Sequence, residues 1–536
     1  MRVSSKKAVY SITIIEMLLF ISIYGIRVLN PCYTDWLLVN GGDLEQHYIG
    51  WLAYKKSVWM FPIGLTNNLC NPYDTSIIFT DSIPLLAVPC KLLGMFIQMD
   101  FQYFGIWALL CFELQGIIAF KIYSKYVDSE IYCVLAAILT TLAPVMLLRV
   151  FVHTALAAQW LILLAIYYLL EYDVDNKRNI LRVVILSVLA TMTHIYFVLM
   201  VGIIVMGICI KDITLSKRIK GSLIFLIVYI LPAMIIVYLL GGFSVGTASN
   251  AGGYGYYNLN LNAFFNPDAL SGWESDWSYF LDGLPRTDFR QYEGFAYLGI
   301  GCMFLLGVAL MVFVKKHLRI IKKEDFIAII AIFMVSLVYA IGPNVDLGDK
   351  EILSVSVPEG LMNILSIFRA SGRVVWISVY LLVVLAVVCV GKLQYKNIAI
   401  TIISSALCIQ IGDLHPKLME KWNTFSVQSR YENSLEQCNI LREALSDKSI
   451  KHLVLMDDLE QSENFDFAIL ALKNNKTINT FYLAREMDSQ IDAYRKLVKE
   501  EWLMDAIYIY YADTQISIPS NFREYDFEQY KIVMKK

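Results

Sequence analysis

The sequence predicts an all-α polytopic membrane domain of about 11 transmembrane helices, followed by a small soluble α/β domain. Three observations carry this reading. Of 536 residues, 57% are hydrophobic and only 17% charged, with mean hydropathy +0.55, whereas soluble domains run nearer half apolar and a quarter charged. Apolar runs of about 15 to 22 residues recur from Val9 to Ile411, each long enough to cross or nearly cross a bilayer. After Asp413 the composition turns ordinary, with charges spread throughout. The expected division is therefore residues 1–412 in the membrane domain, with outer loops 30–81, 241–294 and 342–372, and residues 413–536 in an extracytoplasmic α/β domain.

The chain opens with Arg2, Lys6 and Lys7 before an apolar run over 9–29. That pattern mimics a signal peptide, but the run is about 20 residues and no small-residue cleavage site follows Leu29, so it reads as a retained first helix. Further spans are expected at 102–121, 131–148, 154–170, 222–240, 295–314, 326–341, 374–390 and 398–411. Two stretches are ambiguous. Residues 83–97 hold Pro84, Pro89 and Lys91 and could span or lie flat; residues 181–210 are too long for one crossing and short for two.

Charge parity settles both, because cytoplasmic loops carry the Lys/Arg excess. Basic clusters occur at Arg2/Lys6/Lys7, Lys121/Lys125, Lys177/Arg178/Arg182, Lys211/Lys217/Arg218/Lys220, Lys315/Lys316/Arg319/Lys322/Lys323 and Lys392/Lys396. They share one side only if 83–97 lies flat and 181–210 is a hairpin of two short helices with its tip near His194. The N-terminus is then cytoplasmic and the tail outside. The inner loops are short and basic, with no room for a nucleotide site, and no phosphate-cradling glycine motif follows a strand. Chemistry is expected outside, without ATP or a nucleotide-sugar, and with no nucleic-acid partner.

Cys111, Cys133, Cys209, Cys302, Cys389 and Cys408 lie in apolar runs and act there as small hydrophobes. No cysteine spacing resembles a zinc site. Cys32 and Cys70 share the first outer loop and could pair in an oxidising compartment.

The scarce polar residues carry the functional signal. In the run Asn40-Gly-Gly-Asp-Leu-Glu-Gln-His, Asp43, Gln46 and His47 fall at i, i+3 and i+4 and share a helix face. A carboxylate beside an imidazole can serve as general base and orienter, or as metal ligands; the structural alternative is a cap, Asp43 at N-cap with Gln46 returning the bond. Asp81, just before Pro84, reads as the N-cap of the flat helix or as a second acid facing Asp43. Arg149 and His153, and again Arg369 and Arg373, are spaced i, i+4 on the outer side. They either snorkel towards headgroups or form a phosphate clamp, since guanidinium forks match phosphate oxygens. His194 is an interfacial histidine or a ligand contact. Glu16 and Glu113 lie inside spans, where a carboxylate requires a partner or a water-lined cavity.

The loop 241–294 is rich in aromatics (Tyr254, Tyr256, Tyr257, Phe264, Phe265, Trp273, Trp277, Tyr279 and Tyr292), which suit sugar-ring stacking or an interfacial belt. In the tail, 452–456, 477–483, 506–511 and 530–534 read as strands and 486–502 as an amphipathic helix.

The run Gly-Gly-Asp-Leu-Glu-Gln-His-Tyr at 41–48 is similar to the start of a bacterial family of polytopic membrane proteins that resembles the GT-C glycosyltransferases. So are Phe61-Pro-Ile-Gly, Thr80-Asp-Ser-Ile-Pro-Leu, Phe101-Gln-Tyr-Phe-Gly, Tyr292-Glu-Gly-Phe-Ala-Tyr-Leu-Gly and Phe368-Arg-Ala-Ser-Gly-Arg. GT-C enzymes have many transmembrane helices and an essential acid in the first external loop, which Asp43 matches. The resemblance implies transfer of a sugar from a polyprenyl-phosphate donor to a cell-envelope glycan, lipid or protein acceptor, at the outer face of the bacterial cytoplasmic membrane and among its lipids. Asp43 would be the catalytic base, with His47 or Gln46 positioning it. Asp81, Arg149, His153, His194, Arg369 and Arg373 would contact substrate, the basic groups stabilising the departing lipid phosphate. Any divalent metal, Mg or Mn, would fall to Asp43 and Glu45, because a clear Asp-x-Asp pair is absent; the hairpin tip also reads His194-Ile-Tyr where His-Pro-Tyr is expected. The competing expectation is a non-enzymatic flippase or export component for lipid or glycan. A histidine-based acyltransferase ranks last, for lack of a cytoplasmic donor site.

Overall fold

The computed structural model describes residues 6–97, 99–217, 219–244, 254–269, 276–316, 321–484 and 487–536. Arg2, Arg218, Trp273, Arg319 and Glu486 of the sequence reading lie outside them. The chain is mostly helical and forms two compact units. One comprises Met1–Asn30, Phe104–Met234 and Asn250–Val427; the other comprises Pro31–Tyr103, Ile235–Ser249 and Gln428–Lys536.

Seven helices are long and apolar enough to cross a membrane: Lys6–Tyr24, Phe104–Ser124, Ile195–Ser216, Ile219–Leu239, Lys323–Ile341, Ser371–Gly391 and Lys396–Phe425. Four expected spans are shorter apolar helices, Glu130–Thr141, Thr154–Leu170, Asn179–Thr193 and Ile300–Val314. The ambiguous stretch 181–210 falls into two helices separated by His194, whose Nδ1 accepts from the Tyr196 backbone N–H at 3.1 Å and caps the second helix. Residues 83–97 contain one helix of 11 residues, Pro84–Gly94, about 17 Å long at 1.5 Å per residue.

In the first unit, polar residues inside apolar helices find local partners. Glu16 is fully buried and accepts from Thr141 Oγ1 at 2.9 Å. Its approach requires Gly116, where a Cβ would stand 2.3 Å from Glu16 Oε1. Glu113 meets Thr13, and Lys211 pairs with Asp325. Asp413, where the sequence suggests the membrane domain ends, is completely buried. Its carboxylate accepts from Ser278 Oγ, from Tyr297 OH at 2.7 Å and from the Ile300 N–H at 2.9 Å. With that charge satisfied internally, the helix continues from Lys396 to Phe425 rather than stopping at 411.

The second unit joins residues 31–103 to the tail. Two short antiparallel strands, β1 (Leu65–Thr66) and β2 (Thr75–Ser76), brace the loop; in the first unit β3 (Asn344–Leu347) and β4 (Lys350–Ser354) form a hairpin. The tail holds a five-stranded sheet in the order β6-β5-β7-β9-β8, from β5 (His452–Leu455), β6 (Thr477–Ile478), β7 (Ala506–Tyr511), β8 (Phe522–Phe527) and β9 (Tyr530–Lys535). β5 runs parallel to β6 and β7, while β9 is antiparallel to β7 and β8. The helices Gln461–Lys473 and Asp488–Glu500 connect the parallel strands. β8 escapes sequence reading because its segment Phe-Arg-Glu-Tyr-Asp-Phe is mostly exposed and pairs on one side only. β6 is an edge strand, and the outer loop closes it: Asn71 N–H donates to Ile478 O at 2.9 Å, and Ile478 N–H to Asn68 O at 3.0 Å. An open edge would otherwise invite pairing with another chain.

Candidate functional site

The expected site residues divide between the two units. Asp43, Glu45, Gln46, His47 and Asp81 belong to the unit containing the tail; Arg149, His153, His194, Arg369 and Arg373 belong to the other.

The capping readings fail in both places. The helix Gly42–Lys56 has Gly41 at N-cap, with φ +66°, so Asp43 lies inside the first turn. Gln46 Nε2 donates to Tyr482 O at 2.8 Å in the tail, not back to the helix start. The helix Pro84–Gly94 is entered through Ile83 in a left-handed conformation, with no side-chain cap. Asp81, itself at φ +48°, instead places Oδ2 3.7 Å from His47 Nε2. Gly50 makes this possible: a Cβ there would stand 2.4 Å from Thr80 Cβ, so only glycine lets the loop press against the helix. His47 is fully buried and Asp81 slightly exposed, an imidazole–carboxylate pair beneath the half-buried Asp43.

Glu45 points elsewhere. It is buried, and burial first, then the Asp466 carboxylate, pushes its pKa up to about 8. Asp466 in turn accepts from Tyr431 OH. A carboxyl held protonated at neutral pH, two residues from Asp43 and so on another helix face, does not fit as the second ligand of a divalent ion. Among the described residues no three His, Cys, Asp or Glu side chains converge as a metal set. Cys32 is exposed, Cys70 is buried, and neither is in a disulfide.

In the other unit the basic residues form a connected network around an acid that the sequence reading passed over. Glu293 Oε2 accepts from Arg149 Nη2 at 2.7 Å and from Arg373 Nε at 2.7 Å, and Arg373 Nη2 also reaches Glu293 Oε1. All three side chains are buried or nearly so. Burial would raise the Glu293 pKa, but Arg149 and Arg373 outweigh it and hold the carboxyl well below its ordinary value. Arg149 Nη1 lies 3.1 Å from His153 Nδ1, and its guanidinium sits 5.3 Å from the Trp376 ring. Arg373 packs 4.6 Å over the Tyr196 ring, whose hydroxyl accepts from the Ala370 N–H at 2.8 Å; the His194 ring lies 5.6 Å from that of Tyr196. Arg149 and Arg373 therefore share one carboxylate, Glu293. Arg369 differs. It is part-exposed, lies 5.6 Å from the Tyr257 ring and has no carboxylate partner among the described residues.

Glu293 carried one sequence signal: it is the last acid before the apolar run 295–314 and stands inside the motif Tyr292-Glu-Gly-Phe. No curated protein matches the chain. A family model described as a domain of unknown function, DUF6311, matches residues 13–415, and a second, described as the DUF6311 C-terminal domain, matches residues 440–532. The chain belongs to the DUF6311 family.

Proposed function

We propose that this chain is a GT-C-type glycosyltransferase that moves a sugar from a polyprenyl-phosphate donor to a cell-envelope acceptor at the outer face of a bacterial cytoplasmic membrane. In this reading the seven long helices and the four shorter apolar ones make eleven crossings, with a cytoplasmic N-terminus and an outer tail. The supporting observation is the first turn of the helix Gly42–Lys56. Asp43 is half-buried at a helix N-terminus, where the positive end of the helix dipole favours the ionised carboxylate a general base requires. Below it, His47 and Asp81 hold the helix and the loop Thr80–Ile83 together.

The chemistry asked of this chain is modest. The acceptor hydroxyl oxygen bonds to the anomeric carbon as its proton passes to Asp43; the bond from that carbon to the phosphate oxygen breaks, and the lipid phosphate leaves with the electron pair. The reading needs no metal step.

The test is transfer of a labelled sugar from polyprenyl phosphate in membranes carrying Asp43→Asn. Transfer should fall by about 100-fold or more while insertion and abundance stay unchanged. Full transfer by the variant defeats the assignment; labelled lipid moved across vesicles by the same variant would favour a carrier instead.

A further inference from the structure

The helix Pro84–Gly94 ends in a run that buries almost nothing. Leu92, Leu93, Met95, Phe96, Ile97 and Met99 are all well exposed, Phe96 at 86%. Soluble surfaces seldom gather this much apolar area in one place. The run is held at both ends. At its start Lys91 donates to Ser57 Oγ at 2.9 Å and packs 4.0 Å from the Tyr54 ring and 4.7 Å from the Trp59 ring. At its end Lys55 donates to Met99 O at 2.6 Å and pairs with Asp100, which Lys56 also reaches. The tip is therefore a braced apolar prominence, and the segment that places Trp59 against Lys91 runs on to Phe61, which is 64% exposed.

A second observation sets the depth of this face. Phe61 packs 6.0 Å from Tyr238, and Ile63 N–H donates to Leu239 O at 2.8 Å. Tyr238 and Leu239 are the last turn of Ile219–Leu239, one of the helices long and apolar enough to span. Phe61 thus stands at the level where a membrane-spanning helix ends, and the apolar face is continuous with that level. An apolar tip at such a level suits insertion at the boundary of headgroups and acyl chains.

We infer that the tip formed by Leu92, Leu93, Met95, Phe96, Ile97 and Met99 inserts into the bilayer leaflet at which the helix Ile219–Leu239 ends, so that this unit is anchored to the lipid surface by its own apolar prominence. The partner is the lipid acyl region itself.

The experiment uses the full chain in phosphatidylethanolamine/phosphatidylglycerol vesicles, with Cys32 and Cys408 replaced by serine and an environment-sensitive fluorophore attached at Phe96→Cys. A control label at Lys448→Cys reports an exposed turn of the tail. Lipids brominated near the headgroup end of the acyl chain should quench the label at 96 at least about threefold more than that at 448. Met95→Cys carries the same measurement should Phe96→Cys fail to fold. Equal quenching at the two positions overturns the inference. So does efficient cross-linking of Phe96→Cys between two copies without lipid quenching, which would make the face an interface between chains.

Discussion

The two polar regions of this protein solve opposite problems. Around Glu293, two guanidiniums and one carboxylate leave water together and neutralise one another, with Trp376 and Tyr196 packed on the cations. Around Asp43, the acid stays half-buried while the imidazole and second carboxylate beneath it are paired. A closed network of the first kind holds backbone segments in register, because any lost member leaves a charge stranded. An arrangement of the second kind keeps Asp43 part-exposed in the first turn of its helix, with His47 and Asp81 3.7 Å apart in the same unit. Basic residues spaced alike in the sequence thus divide by partner: Arg149 and Arg373 share Glu293, while Arg369 lies against the Tyr257 ring.

The comparison breaks most sharply at Glu293. Glu293→Gln leaves two buried guanidiniums without their counter-charge and should cost about 3–5 kcal/mol, read as a lowered melting temperature in detergent. An unchanged melting temperature would return Arg149 and Arg373 to the candidate phosphate site. In the wild type, the Glu293 pKa lies below its unfolded value, so its stabilisation is complete above the ordinary carboxylate range and is lost only as pH falls through the depressed value.

Glu45 has the opposite sign. Its folded pKa of about 8 exceeds the unfolded value, so stability is full below the ordinary carboxylate pKa and declines as pH rises towards 8. Glu45→Gln should remove that decline and stabilise the unit by something on the order of 3 kcal/mol above pH 8, with almost no difference at pH 4. Melting curves of both proteins across that range check it; parallel curves would show that Glu45 ionises freely.

Smaller effects sharpen the contrast. Arg369→Ala should change stability by no more than about 1 kcal/mol, since only the contact with the Tyr257 ring is lost, and melting curves in detergent check it. Gln46→Ala removes one hydrogen bond to the tail and should lower stability by about 1 kcal/mol, detectable as faster proteolysis of the tail. A Gln46→Ala protein as resistant as wild type would mean that the loop–tail contact does not depend on this bond.

Some of this was legible from local pattern. The apolar runs, the break at His194 and the shortness of 84–94 follow from spacing and composition, and the structure has helices at each. Other features depend on residues distant in the chain. Asp81 looks like a cap because it precedes a proline helix, yet Ile83 takes the left-handed turn and Asp81 turns to His47. Glu293 meets Arg149 and Arg373 across 144 and 80 positions, separations that no local spacing reveals. β8 was missed because an exposed edge strand lacks the alternation that marks a half-buried one.

The sequence by itself determined that the chain carries segments long and apolar enough to cross a bilayer, where they lie and which few polar residues stand apart, because burial of apolar surface is a summed, local property of composition. Only the tertiary structure decided what those polar residues meet. It joined residues 31–103 to the tail in one unit, carried the last apolar helix through Asp413 to Phe425, and gave Arg149 and Arg373 a shared carboxylate. Pairing of charges is set by distance in space, and in this chain the decisive distances connect residues far apart in sequence.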